Sequence, residues 1–484
     1  MLDAFSNYWP YIFLTVSLTV GAVAAAHAAM TKDDVRAATG WVGVILLSPM
    51  LGAFFYLIAG INRIRHTALA TRRTGRRTFE KQSSEHALER EQITAQFGRQ
   101  FRALNILGDT LTRFFMTTGN SVTMLETGDQ AYSEICEAID TAERSIILES
   151  YIFDCDEIGR RVAGHLLRAQ ARGINVRVLI DAVGARYSVP SIVKYLRNRG
   201  LQARTFNGNV IMGLRLPYAN LRTHRKIIVI DEDVAFTGGM NIREAFTSEF
   251  AGDKASLDTH FKVTGPVVGD LFAVVAEDWH FASGERLEQI VCSGPDGDDA
   301  PLATYARVVS SGPDGSLETN HKMLMGAFSV AQSSIRIMSP YFLPDRELVS
   351  ALTTAARRGV RIDIVVPLEN NLKLVDLAMT AQFDQVLKNG CHVWRVAGTF
   401  NHSKLLTIDG NWSYVGTSNL DPRSLRLNFE VDLEILDNDF AELVESRIDA
   451  AIAEGTEVML GDISNQPFLL RLLGKVIWLG SPYL

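Results

Sequence analysis

Two histidines and two lysines recur along this chain in one spacing. His224, Lys226, Asp231, Gly238 and Asn241 reappear as His402, Lys404, Asp409, Gly416 and Asn419, every pair 178 residues apart. Histidine is the side chain best suited to give and take protons near neutral pH, and its neutral ring is also a nucleophile. A lysine two positions on adds positive charge beside each ring. Duplication at a constant interval predicts a site assembled from two halves, with one histidine from each.

The elements that must position these groups can be read around them. Ile227 to Ile230 and Leu405 to Ile408 are aliphatic runs bounded by polar and glycine-containing segments, which predicts strands. Strand side chains alternate, so His224 and Lys226 should share a face, as should His402 and Lys404, with Asp231 and Asp409 bracing the strand ends behind them. The duplication reaches further. Ala142 to Phe153 aligns with Ala331 to Phe342, and in each copy a helical stretch follows, closing with Arg172-Gly173-Ile174 or Arg358-Gly359-Val360. Another strand comes next, Val176 to Asp181 or Ile362 to Pro367. Strand, helix, strand is the signature of an α/β domain with helices covering the sheet. Two such halves, residues 119–290 and 300–456, imply a pseudo-two-fold arrangement around a shared cleft. A turn-rich stretch from Ser293 to Gly297 separates them, and Ser310 to Gly315 opens the second.

The 484-residue chain is 47% hydrophobic and only 21% charged, with the excess at its start. Neither Tyr8–Met30 nor Trp41–Ile61 contains Asp, Glu, Lys or Arg, and either run as a helix would cross a hydrocarbon layer of about 30 Å. Residues 1–64 therefore read as a transmembrane helical hairpin, with helices over about 8–30 and 41–61. A cleaved signal peptide competes for the first run, because Ala26-His27-Ala28 resembles a processing site, but no basic residue precedes it. Arg63, Arg65, Arg72, Arg73, Arg76 and Arg77 follow the second run, whereas Lys32 and Arg36 in the connecting loop are offset by Asp33 and Asp34. That asymmetry predicts the large C-terminal part on the cytoplasmic side of a multi-pass inner-membrane protein. Residues 65–118 read as a basic juxtamembrane segment and linker. Residues 457–484 read as an apolar tail that lies on the bilayer or closes the core. A net charge of −7 lacks the basic footprint of a nucleic-acid binder. Cys136, Cys155, Cys292 and Cys391 have no metal-ligand or C-x-x-C spacing, so buried thiols are expected. Asp154/Asp156 and Asp296/Asp298/Asp299 read as solvated loops rather than metal ligands.

Both copies match the H-x-K-x4-D and G-x-x-N signature of the phospholipase D superfamily, as His224-Arg-Lys226 to Asp231 with Gly238-Gly-Met-Asn241, and His402-Ser-Lys404 to Asp409 with Gly416-Thr-Ser-Asn419. Within that superfamily the chain resembles bacterial cardiolipin synthases over nearly its whole length. The likeness rests on the paired apolar runs, Ser311 to Asp314, Ser339 to Asp345 and the Asn-Leu-Asp-x-Arg-Ser run from Asn419 to Ser424. Thr417 departs from the usual serine, and Pro422 occupies a variable position.

The resemblance implies an α/β fold: two tandem, pseudo-two-fold-related phospholipase D-like sandwich domains behind the hairpin. It implies a phosphatidyltransferase that joins two phosphatidylglycerol molecules into cardiolipin and glycerol through a phosphatidyl-histidine, with no metal and no cofactor. Phosphorus in a phosphodiester is shielded by anionic oxygens, so attack needs neutralising charge and the departing alkoxide needs a proton. By superfamily habit His224 is the nucleophile and His402 the acid. Lys226, Lys404, Asn241 and Asn419 would hold phosphoryl oxygens. Asp258 and Glu430, 34 and 28 residues after their histidines, stand where the family carries orienting acids. Arg222, Arg423 and Arg426 flank the motifs and could grip a second anionic head group or form structural ion pairs. His27 reads as interfacial, and His260, His321 and His392 as structural. Expected partners are an anionic phospholipid and the membrane, with oligomerisation left open. Alternatives are a membrane-bound phospholipase D yielding phosphatidic acid, transfer to another lipid alcohol, or a membrane-tethered scaffold that has lost activity.

Overall fold

The computed structural model describes residues 2–32, 35–60, 90–207, 222–288, 304–313 and 316–481. The arginine cluster, Cys292, the acidic group at 296–299 and the turn-rich 293–297 stretch lie outside these residues. The chain forms two compact units, Met1–Thr74 and Gly75–Leu484.

In the first unit, Leu2–Thr31 is helical, and its Tyr8–Thr31 portion is long and apolar enough to cross a membrane. The second apolar run is not the single helix expected over 41–61. It folds as Val35–Leu47 and Pro49–Phe55, continuing as a wider helical turn through Gly60. Pro49 causes the break, since its ring disfavours helical backbone at the preceding residue, and Ser48 sits at φ −145°, ψ 82°. Gly21 packs against this corner, where an added Cβ would come within 2.6 Å of the Pro49 side chain. His27 Nδ1 lies 2.8 Å from the Tyr56 hydroxyl.

The second unit is built on one continuous sheet. Its strands are β1 (Thr117–Leu125), β2 (Ser145–Ser150), β3 (Asn175–Asp181), β4 (Gln202–Phe206), β5 (Arg222–Thr223), β6 (Ile227–Ile230), β7 (Val234–Gly238) and β8 (His260–Thr264) from the first half. The second half contributes β9 (Thr304–Ser311), β10 (Ser334–Met338), β11 (Arg361–Pro367), β12 (His392–Val396), β13 (Leu405–Ile408), β14 (Trp412–Gly416), β15 (Asn428–Leu436) and β16 (Gly455–Glu457). The order β4-β3-β2-β6-β7-β8-β1 is repeated as β12-β11-β10-β13-β14-β15-β9, and the halves join where β1 pairs antiparallel with β9. β15 also pairs with β9. The sequence repeat thus folds into two matching halves of one sheet, and Ser310 and Ser311 end the central strand β9.

Alternation along the strands makes three layers. Ile146 and Leu148 point into one helix-covered core and Ile147 into another, with Ile335 and Ile337 opposed to Met338 in the second half. On one face, helices Val267–Ser283 and Asn438–Glu454 share a core that spans both halves, including Leu271, Val308, Leu433 and Val444. On the other, each half has its own helices and its own core. Burial on this scale, at about 25 cal/mol per Å² of apolar surface, fixes the halves against each other.

Residues 90–111 correct the linker expectation. Helices Arg90–Phe97 and Arg99–Leu111 insert Ile93, Phe97, Phe101 and Leu104 into the second half's core. Arg307 of β9, wholly buried, reaches back to Asn105 and to Asp109 at 3.0 Å. Cys136, Cys155 and Cys391 are buried free thiols.

Candidate active site

His224 and Lys226 lie in the extended segment leading into β6, and His402 and Lys404 in the one leading into β13, just outside the strands where they were expected. Each lysine turns back to donate its Nζ to the carbonyl of its own histidine, Lys226 at 2.7 Å. Downstream, Gly238 and Gly416 end β7 and β14 at φ +145° and +157°. A Cβ there would lie 2.7 Å from the Thr259 carbonyl or 2.5 Å from that of Val431, so glycine is required for the next strand to pass this close. Those next residues are the acid-bearing segments.

The acids are exchanged between the halves. Glu430 of β15 lies 2.9 Å from His224 Nδ1, and Asp258, just before β8, lies 2.8 Å from His402 Nδ1. The expected pairing of each acid with the histidine of its own half is therefore corrected. The backbone shows why. β5 runs parallel with the start of β15, and Leu257 bridges to Asn401, threading each histidine segment against the other half's acid. His224 N donates to the Phe429 carbonyl at 2.9 Å, and His402 N to that of Leu257 at 2.7 Å. Both acids have 0% exposure, so they stand behind the rings and not at the substrate surface. With Nδ1 beside a carboxylate, Nε2 is the ring nitrogen left for substrate, and on His402 it lies 3.1 Å from Lys404 Nζ.

The two imidazoles and two lysines lie close enough together for each lysine's charge to act on both rings. Burial, then Lys226 and Lys404 together, holds the His224 pKa well below the ordinary value. Burial and Lys404 push His402 down to about 4, with Asp258 opposing. Desolvation also lowers Lys226 to about 7 and Lys404 to about 8. The orienting acids differ. Burial raises Glu430 to about 7 despite Lys226 and the Thr417 hydroxyl, which donates to it at 2.7 Å. For Asp258 the same burial penalty is outweighed by Lys404 and His402, leaving its pKa below the usual value. The residue facing Asp258 at the position of Thr417 is Gly239, where a Cβ would meet the carboxylate at 2.2 Å.

Asn241 and Asn419 sit beside this cluster, 6% and 5% exposed. Asn241 Oδ1 accepts from the Ile152 amide at 3.1 Å, while Asn419 Oδ1 is buried without a protein partner. Arg426 is taken up by Asp345, at 2.7 Å, in a group with His321. Arg222 lies in β5 near Asp181. Arg423 lies in the first turn of the short helix Pro422–Arg426, and its charge reaches both His224 and Tyr151. Asp154 and Asp156 are not solvated: Asp156 caps helix Glu157–Ala171, and Asp154 is buried against Arg243 at 3.0 Å.

Aromatic rings that the motif spacing does not mark flank both histidines. The Tyr151 ring lies 5.0 Å from that of His224, and Tyr341 and Phe400 lie 6.0 and 5.8 Å from His402. The signal was a tyrosine just after β2 and another just after β10 in the aligned runs.

Asp231 and Asp409 sit at the far ends of β6 and β13 and touch neither ring. Asp231 accepts from the amides of Glu143, Arg144 and Ser145 at 2.7–2.8 Å, and Asp409 from those of Gln332, Ser333 and Ser334 at 2.7–3.2 Å. Both adopt φ +55°, which short polar residues tolerate best. These contacts give both aspartates a turn-bracing role, away from the reacting groups. Asp409→Ala is expected to lower unfolding free energy by about 2–4 kcal/mol, from several lost charge-assisted hydrogen bonds, while turnover by the folded enzyme stays within about threefold. Chemical denaturation alongside initial rates below the transition would check this.

The family model described as cardiolipin synthase, phospholipase D-like domain, matches residues 135–249 and 324–452. A cardiolipin synthase A of Pseudomonas fluorescens strain Pf-5 is 32% identical over 99% of both chains. A cardiolipin synthase of Alkalihalophilus pseudofirmus is 32% identical over 92% of this chain and 88% of its own. Among solved structures, a phosphatidylserine synthase from Haemophilus influenzae Rd KW20 shares the fold, with a TM-score of 0.59 and 17% identity over 75% of this chain and 95% of that one. The fold and the doubled motif define a phospholipase D-like protein. The chain belongs to the cardiolipin synthase family within that group.

Proposed function

We propose that this chain is a phosphatidyltransferase that makes cardiolipin and glycerol from two phosphatidylglycerol molecules. One observation carries the reading: two imidazoles, one per half, each held by an acid lent by the opposite half and each under the charge of both lysines. His224 Nε2 attacks phosphorus, and the bond to the glycerol oxygen breaks. Protonated His402 supplies the proton that leaves with glycerol. A hydroxyl of the second phosphatidylglycerol then gives its proton to His402 as its oxygen displaces His224 from phosphorus.

The roles of the two histidines follow from their acids. Asp258 stays ionised and supports a proton on His402 once an anionic phosphodiester has entered between the lysines. Glu430, itself pushed upward, supports one less on His224, leaving that ring neutral and nucleophilic. Lys226, Lys404, Asn241 and Asn419 hold the phosphoryl oxygens, and Arg423 faces the second anionic lipid. The apolar N-terminal segments anchor the enzyme in the inner membrane as a multi-pass protein, with the arginine cluster after Asn62 favouring a cytoplasmic catalytic unit.

Incubated in detergent with phosphatidylglycerol, the purified full chain is expected to release cardiolipin and glycerol in equal amounts. Phosphatidic acid as the main product would overturn transfer in favour of hydrolysis.

A further inference from the structure

Large apolar side chains stand exposed, among the described residues, along the sheet edge that bears the two histidines, and one of the loops that present them is tied to the site. β3 and β11 run parallel to β2 and β10, so the loops after them emerge on the edge that bears the two histidines. In the first half this loop holds Tyr187, 57% exposed and beside Tyr151, and Val189, 96% exposed. In the second, Leu368 and Leu372 of the loop and Leu374 in the first turn of helix Lys373–Leu387 are 44–56% exposed. That loop is pinned to the site: the Tyr341 hydroxyl donates to Asn371 Oδ1 at 2.8 Å, and Asn370 Nδ2 donates to the Pro340 carbonyl at 2.8 Å.

The same surface continues onto the C-terminal helix Phe468–Leu479, which packs on helix Lys373–Leu387, the helix that starts at this rim. Gly474 lies against the Leu377 carbonyl, and Lys475 Nζ bonds to the Ala381 carbonyl. Ile477 and Trp478 turn inward to the core, while Leu469, Leu473 and Val476 remain 48–76% exposed. The helix has two basic residues and no acidic one in a chain of net charge −7. An uncovered apolar band of this kind marks an interaction surface. Its helix has the apolar outer face and cationic balance that suit an anionic bilayer.

We propose that the surface beside the two histidines, from Tyr187 and Val189 across to Leu374 and the outer face of the C-terminal helix, docks on the bilayer surface. A phosphatidyl head group would then reach His224 and His402 while its acyl chains stay in the membrane. This rests on the lipid-transfer reading but is tested separately from it.

Full-length protein reconstituted in phosphatidylglycerol nanodiscs, with bimane on Leu469→Cys, is expected to lose fluorescence when the lipids carry brominated chains. Undiminished emission would overturn the docking, and this readout does not depend on turnover. Leu374→Asp/Leu473→Asp is expected to lower activity on nanodisc phosphatidylglycerol more than tenfold and to leave activity on monomeric short-chain phosphatidylglycerol unchanged. Equal loss on both substrates, or loss on neither, would overturn it. So would bilayer-specific loss accompanied by fewer protein copies per nanodisc, which would make a second copy the occupant.

Discussion

His224→Ala and His402→Ala are each expected to reduce cardiolipin formation by at least about a thousandfold, because one removes the attacking group and the other the proton carrier for both half-reactions. Loss in both places the site across the two halves but does not say which ring attacks. A substrate with a leaving group that needs no proton separates the roles. With phosphatidyl-p-nitrophenol, His402→Ala is expected to release about one equivalent of nitrophenolate per site and then stall, since no base activates the acceptor alcohol. His224→Ala is expected to give no burst. Mass spectrometry of the stalled His402→Ala protein should find the phosphatidyl group on His224. A burst from His224→Ala instead would exchange the roles, and full activity in either variant would defeat a shared two-histidine mechanism.

The burst has its basis in geometry that was partly legible in the chain itself. The 178-residue repeat contains both halves of the sheet, because identical polar spacing demands the same strand-turn-strand path around His224 and His402. Parity also placed Asp231 and Asp409 behind the site, where they brace turns. What spacing could not supply was the exchange of acids. Counting forward from His224 leads to Asp258, yet the pairing of β5 with β15 is a contact between segments about 200 residues apart, and chain order is silent on which half's acid arrives. Two other elements did leave a signal in the chain. Ile93, Phe97, Phe101 and Leu104 recur at helical spacing, but the charge around them masked a buried face. Pro49 stood in the middle of the second apolar run and marked where its helix would break.

The exchange of acids makes a prediction that no same-half arrangement shares. Asp258→Asn removes the negative charge that holds a proton on His402, so turnover of phosphatidylglycerol is expected to fall about a hundredfold or more. The sign of the pH effect follows. Asp258 raises the His402 pKa, so without it the protonated acid is lost at lower pH, and the descending limb of the rate profile moves downward. The nitrophenolate burst needs no proton from His402, so it should fall far less than turnover does, by no more than the loss of Asp258's support for the Lys404 charge. Glu430→Gln acts on the other ring. It frees the Nδ1 side of His224 and withdraws the charge that raises Lys226, so the burst itself is expected to slow by at least about tenfold. Because the Lys226 charge is present only below its pKa, and that pKa drops without Glu430, its descending limb also moves downward. If each acid served the histidine of its own half, the pattern would invert, with Asp258→Asn slowing the burst and Glu430→Gln sparing it. Stopped-flow bursts on the two single variants would therefore read the crossing of the halves directly, with no dependence on which product is finally released.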